Sequence, residues 1–209
     1  MNYRQITITA IILLLFAIIG TAMVAATYEG TREQIAANER ATLLRKLSQL
    51  IPPDLYDNNF LDDTIEVLDP ALAGSPVRVY RARRNNKPVA LVMTALAPDG
   101  YSGSIRLLVG IHHDGSLAGV RVVAHRETPG LGDAIDEQRS GWIYQFNNRS
   151  LDNPPLPQWK VRKDGGNFNQ LTGATITPRA IVKAVRETLL YYRAHRDRLF
   201  AHTETPTTP

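Results

Sequence analysis

The chain contains no cysteine. That absence excludes disulfides, thiolate-bound iron–sulfur clusters and zinc–thiolate centres, and it suits an exported domain. The five histidines (His112, His113, His125, His195 and His202) form no His-Glu-x-x-His pair, and no haem-attachment signature exists without cysteine. His112 and His113 adjoin Asp114-Gly115 and read as a solvated turn, so no metal site is expected. No Gly-x-Gly-x-x-Gly follows a strand pattern, so the nicotinamide-binding motif expected of a self-contained redox enzyme is missing. The charge balance of 24 Lys and Arg against 20 Asp and Glu leaves +4, spread along the chain. With no arginine-rich helix and no basic block interleaved with aromatics, nucleic acid is not an expected partner. Any electrons handled here must travel on an organic cofactor.

What the chain does have begins with Ile6 to Ala26, 21 residues without a charge. About 20 apolar residues span a bilayer as a helix, whereas a signal-peptide core is usually about 7–15. Val24-Ala25-Ala26 could pass for a cleavage site, but the length favours an uncleaved single-pass anchor in the lipid bilayer. Residues 1–5 precede it. Arg4 before the span and Arg32, Arg40, Arg45 and Lys46 after it leave the orientation open by charge alone. Within a linker region of residues 27–70, Thr31 to Ile51 reads as a separate amphipathic helix, with Ile35, Leu43, Leu47 and Leu50 at helical spacing. Pro52-Pro53 stops it. Tyr56 to Pro70 reads as a solvated acidic loop carrying Asp57, Asp62 and Asp63.

The period then changes to two. Val77 to Arg81 alternates as a half-buried strand, and Pro88 to Ala97 reads as a more buried one. Ser104 to Ile111 and Leu117 to Ala124 follow, separated by turns at Asp99–Gly103 and Asp114-Gly115. Short links between consecutive strands predict an antiparallel meander. Trp159 to Arg162 reads as a further short strand, Trp142 as core, and Lys163-Asp164-Gly165-Gly166 as a turn. A final helix, with Ile181, Val182, Val185, Leu189 and Tyr192 on one face, reaches about Leu199. Residues 71–200 thus form one domain of α+β class, and 201–209 read as a disordered polar tail.

Two stretches carry candidate chemistry. Leu171-Thr172-Gly173-Ala174-Thr175-Ile176-Thr177-Pro178 runs into the final helix. Pro178 suits the first helical position and Thr177 the cap. Gly173 and Ala174 lack bulk, so a ligand can approach the backbone beside the positive end of the helix, where an anion such as phosphate is favoured. An ordinary capped turn is the alternative. Glu127-Thr128-Pro129-Gly130-Leu131-Gly132 ends the strand run as a low-bulk loop, either a plain connector or a cradle with hydroxyl and carboxylate groups for a ligand.

The string Thr-Gly-Ala-Thr with Ile-Thr-Pro resembles the flavinylation motif of the FMN-binding domain family. Glu-Thr-Pro-Gly-Leu-Gly resembles that family's second hallmark. With the anchor, Ala97 to Gly103 and Lys163 to Gly166, the likeness extends over nearly the whole chain to the G-subunit family of the Rnf (Rsx) ion-translocating electron-transport complex. The C subunit of the sodium-pumping quinone reductase is a longer relative. One departure is Asn169, where relatives commonly carry Asp. The resemblance implies FMN attached covalently through a phosphoester to Thr175, and an electron carrier with no catalytic residues of its own. Thr172, Gly173 and Ala174, together with Glu127, Thr128, Gly130, Leu131 and Gly132, would cradle the cofactor. It implies a flavin transferase and other subunits of a membrane complex as partners, and an FMN domain on the periplasmic side of a bacterial inner membrane. A membrane-anchored FMN-domain module with a binding or regulatory role is the alternative.

Overall fold

The computed structural model describes residues 3–201, so the expected disordered tail at 201–209 lies outside them from residue 202 on. The chain divides into two compact units, Met1–Arg45 and Lys46–Pro209. Helix α1 (Tyr3–Leu50) is continuous, so the two helices expected at 6–26 and 31–51 are one. Neither Gly30 nor the polar run after Ala26 supplies a breaker strong enough to interrupt it, since a single glycine costs a helix only about 1 kcal/mol. Pro52-Pro53 ends the run where expected, leading into a single 3₁₀ turn at Pro53–Leu55.

In the first unit the apolar side chains face outward all round the helix. Leu13, Phe16, Ile19 and Met23 are each more than half exposed, and the window with mean hydropathy 2.7 has none of its residues buried. Such a surface is stable in hydrocarbon and unstable in water. Two threonines near its ends turn their hydroxyls onto the backbone: Thr7 donates to the Tyr3 carbonyl at 2.9 Å and Thr27 to that of Met23 at 2.8 Å. These two hydroxyls are thereby satisfied within the helix. Ile35, read as part of an amphipathic face, remains 47% exposed.

The second unit is built on a five-stranded sheet in the order β1-β2-β3-β4-β5, every neighbour antiparallel. The strands are β1 (Thr64–Val67), β2 (Val77–Arg84), β3 (Lys87–Ala97), β4 (Ile105–His112) and β5 (Leu117–Ala124). This is the expected meander with one strand added, because β1 lies inside the segment read as a solvated loop. It pairs Ile65 with Val79 at the sheet edge. The acidic reading also fails at Asp63, whose carboxylate binds both Arg81 and Arg83. Those two guanidinium groups, buried on β2, reach on to the Ala201 and Phe200 carbonyls and tie the far end of α2 (Ile176–Phe200) to the sheet.

Helix α2 covers one face of β3 and β4, burying Ile181, Val182, Val185, Leu189 and Tyr192 as its spacing requires. The opposite face is closed by residues 47–60. Gly110 and Gly119, register partners on β4 and β5, leave a trough for Leu50: a Cβ at either would stand 3.1–3.2 Å from its side chain. Phe60 closes against Tyr80 edge-on at 6.4 Å. Trp159 to Arg162 is no strand. It contributes one isolated bridge from Val161 to Phe168, because its side chains join an aromatic cluster. Phe146 stacks on Phe168 at 4.9 Å, and Trp159 lies 4.8 Å from the same ring. Such pairs add about 0.5–1.5 kcal/mol each beyond area burial.

The His112-His113 turn is half-buried, not solvated. Tyr192 donates its hydroxyl to both histidine carbonyls, and the His113 ring packs 5.3 Å from Phe200. Burial pushes the Tyr192 phenol up to about 12. No metal-binding cluster occurs among the described residues.

Candidate functional site

Leu171 to Ala174 forms a tight turn closed by the Ala174 N–H on the Leu171 carbonyl at 3.2 Å. Gly173 sits at the left-handed position of that turn, φ +79°, which a residue without Cβ adopts freely. The turn delivers the chain into α2 earlier than the sequence implies. Thr175 is the N-cap residue, and Ile176, Thr177 and Pro178 make the first turn. Thr177 is therefore not the cap and Pro178 not the first helical residue. The correction has a cause in the neighbouring loop, which captures the Thr177 hydroxyl. Thr175, by contrast, makes no side-chain capping bond. It is half-buried beside first-turn N–H groups that have no intrahelical acceptor.

Glu127 is the bracket. It is 4% exposed at the end of β5, and its two oxygens hold different segments. One accepts the Ser102 N–H at 3.1 Å; the other accepts the Thr177 hydroxyl at 2.6 Å. One carboxyl group thus joins the Asp99–Gly103 turn, the Glu127–Gly132 loop and the start of α2. Gly132 packs into this bracket, for a Cβ there would stand 2.7 Å from the Glu127 oxygen and 3.1 Å from the Thr177 oxygen. The two glycines of the loop have distinct reasons. At Gly130 a Cβ would meet nothing within 4 Å, but φ is +77°.

These elements enclose a cavity of about 330 Å³ lined by Tyr101, Glu127, Thr128, Leu131, Gly132, Gly173, Ala174, Thr175, Ile176 and Thr177. The candidate residues from the two loops meet there, except Thr172 and Gly130, which do not line it. Sequence reasoning missed Tyr101, Ile176 and the bracketing role of Thr177. A signal was present for Tyr101, since Gly100 and Gly103 flank it in a turn. Three of the lining side chains are apolar and left open: Tyr101 68%, Leu131 45% and Ile176 46% exposed.

The surroundings hold the approach to Thr175. Trp142 donates its indole N–H to the Asn169 carbonyl at 2.7 Å, and Gln145 accepts the Asn169 N–H at 2.7 Å. Asp164, in the turn read from Lys163 to Gly166, takes a bidentate pair from Arg179 at 2.6 and 2.5 Å. Arg179 holds the Asp164 carboxyl below its ordinary value. Lys183 of α2 binds Asp99 at 2.7 Å, a second tie to the Tyr101 turn. Lys163 itself is exposed.

A profile described as the FMN-binding domain matches residues 100–190, and one described as the RnfG N-terminal region matches residues 1–50. The G subunit of the ion-translocating oxidoreductase complex from Pseudoalteromonas atlantica is 50% identical over 193 residues, covering 91% of this chain and 90% of the relative. Proteins of the same description from Pseudomonas aeruginosa and Vibrio cholerae are each 46% identical, over 203 and 190 residues. They cover 96% and 90% of this chain, and 95% and 91% of their own lengths. The chain belongs to this G-subunit family. Its FMN-binding match opens at the Gly100 turn and closes within α2, and so contains the whole cavity. The residues present fit an FMN group: an uncapped hydroxyl, a first helical turn for the phosphate, side-chain-free positions at Gly132 and Gly173, and open apolar walls.

Proposed function

We propose that this chain is a membrane-anchored electron-transfer subunit that carries FMN by a phosphoester bond to Thr175, within an ion-translocating oxidoreductase complex. Family membership supports the complex, its other subunits and FMN. The single observation that carries the site is Thr175 at the N-cap of α2, facing the cavity with no capping bond on its side chain. Thr175 would hold the flavin through its hydroxyl oxygen as a phosphodiester, attached by a flavin transferase, with the phosphate beside the first turn of α2. Thr172 does not line the cavity and is not the acceptor.

The protein's own residues do the holding. The first turn of α2 stabilises the remaining phosphodiester charge by roughly 0.3–1 kcal/mol, so retention rests on the covalent bond. Glu127 fixes the relation between the two loops, while Leu131, Gly132 and Thr128 give the ring a wall. The bound flavin supplies the redox chemistry, and the chain tunes and positions it. The anchor lies in a bacterial inner membrane with the FMN domain on the periplasmic side, where the cofactor is attached.

The test is flavin fluorescence on a denaturing gel, using protein from a host with its flavin transferase. The wild-type band should fluoresce, Thr175→Ala should abolish the signal, and Thr172→Ala should retain it. Flavin found on a Thr172 peptide by mass spectrometry would overturn the assignment.

A further inference from the structure

Tyr101 is an oddity that the site as described leaves unexplained. Its side chain is 68% exposed, yet the backbone that presents it is held in place on both sides. Gly100 has no room for a side chain: a Cβ would collide with the Gly103 carbonyl and stand 3.0 Å from both Glu127 Oε1 and Ile105 Cδ1. Gly103 holds φ at +119°. The next N–H, of Ser102, is fixed on the buried Glu127 carboxyl, and Asp99 is paired to Lys183 on α2. Two bonds and two glycine constraints thus hold a five-residue turn whose largest side chain is left mostly open.

What that side chain does is line the cavity. The same carboxyl that fixes the Tyr101 turn also fixes Thr177, two residues beyond the tether. Tyr101 and Thr175 are therefore registered to each other through one group. With Leu131 and Ile176 also partly open at the rim, the cavity presents one aromatic and two aliphatic surfaces around the Thr175 hydroxyl. A flat, extended aromatic ring would bury these surfaces, and aromatic rings favour offset or edge contact with one another.

We propose that Tyr101 is the aromatic cover of the flavin ring, packing on it and limiting its access to water. This rests on the reading that FMN is tethered at Thr175. Glu127 then acts on the ring at one remove, as the positioning residue that fixes cover and tether together.

The experiment uses the full-length chain, flavin-loaded in its host and purified in detergent. Flavin per chain, fluorescence yield and quenching by iodide are measured for wild type, Tyr101→Phe and Tyr101→Ala. Phenylalanine keeps a ring over the flavin, so iodide access should stay at the wild-type level. The yield should rise, because the tyrosine ring lends an electron to the excited flavin and takes it back, a quenching path that phenylalanine supports poorly. Alanine uncovers the flavin face on which the ring packs, so the iodide quenching constant should rise above the wild-type value. A variant Tyr101→Ala that fails to load while Tyr101→Phe loads also supports a ring contact. Wild-type iodide access and yield in Tyr101→Ala overturn the proposal, as does loss of loading in Tyr101→Phe. A wild-type chain without covalent flavin at Thr175 defeats the underlying reading instead, and the two failures are told apart by the gel.

Discussion

Replacing Gly132 by alanine should damage the domain through one contact. The added Cβ would stand 2.7 Å from Glu127 Oε2, 3.0 Å from Glu127 Cβ and 3.1 Å from Thr177 Oγ1. All three atoms belong to the buried bracket, and the 2.6 Å hydrogen bond between them leaves no slack. Overpacking together with a loosened buried hydrogen bond should cost about 2–4 kcal/mol, lowering the melting temperature by about 5–15 °C for a domain of this size. Gly130→Ala is the control. It meets open space but must hold φ at +77°, a left-handed strain of about 1–2 kcal/mol. Asparagine tolerates that conformation, so Gly130→Asn should recover most of the loss, whereas Gly132→Asn should be worse than alanine. The assay is thermal unfolding followed by tryptophan fluorescence. Both tryptophans of the chain, Trp142 and Trp159, are buried in the domain, so the signal is free of the anchor. Combining Gly132→Ala with Thr177→Val should show coupling of about 1 kcal/mol or more. A Gly132→Ala melt within about 1 °C of wild type, or strict additivity with Thr177→Val, would refute the bracket.

Asp63→Ala should be among the most damaging single changes, costing about 3–5 kcal/mol, because it removes the carboxylate shared by the buried Arg81 and Arg83; an unfolding midpoint equal to wild type in urea would contradict this. The Asp164–Arg179 pair lies at the surface and lowers the Asp164 pKa from 3.8. Its contribution is present above the unfolded value and lost as pH falls through the lower folded one, so the melting temperatures of wild type and Asp164→Asn should converge as pH drops below 3.8. A gap that widens on acidification would reverse the sign. Alkaline phosphatase fused after Phe200 should be active in intact cells, reporting the domain outside the cytoplasm; an inactive phosphatase with an active cytoplasmic reporter at the same point would invert the topology.

The meander was legible because its turns are local: Asp99-Gly100 and Asp114-Gly115 end strands whose period-two pattern is read within a few residues. What escaped reading depends on partners far along the chain. Asp63 looked like one of several solvated acids, because the arginines that bind it lie 18 and 20 positions away on a strand whose alternation gave no sign that charges would be buried. Thr177 looked like a cap because Pro178 follows it. Glu127, 50 residues earlier, takes that hydroxyl and leaves the cap position to Thr175. Trp159 to Arg162 has strand-forming side chains, but the rings of Phe146 and Phe168 claim Trp159 before a ladder can form. At the site, the two loops were legible as motifs. Their meeting with Tyr101 was not, since the contact runs through a backbone N–H that carries no side-chain signature.

The hold on Asn169 bears on which positions of this chain are free to change. Trp142 and Gln145 grip residue 169 only by its main chain, through one carbonyl and one N–H, and the residue itself lies exposed. An exchange of aspartate for asparagine there alters charge at the surface while every bond that sets the path toward Thr175 is kept. The loop's architecture is thus written in Trp142 and Gln145, and the side chain at 169 takes no part in either bond. A change of side chain at 169 therefore leaves in place the two bonds that fix the main chain there.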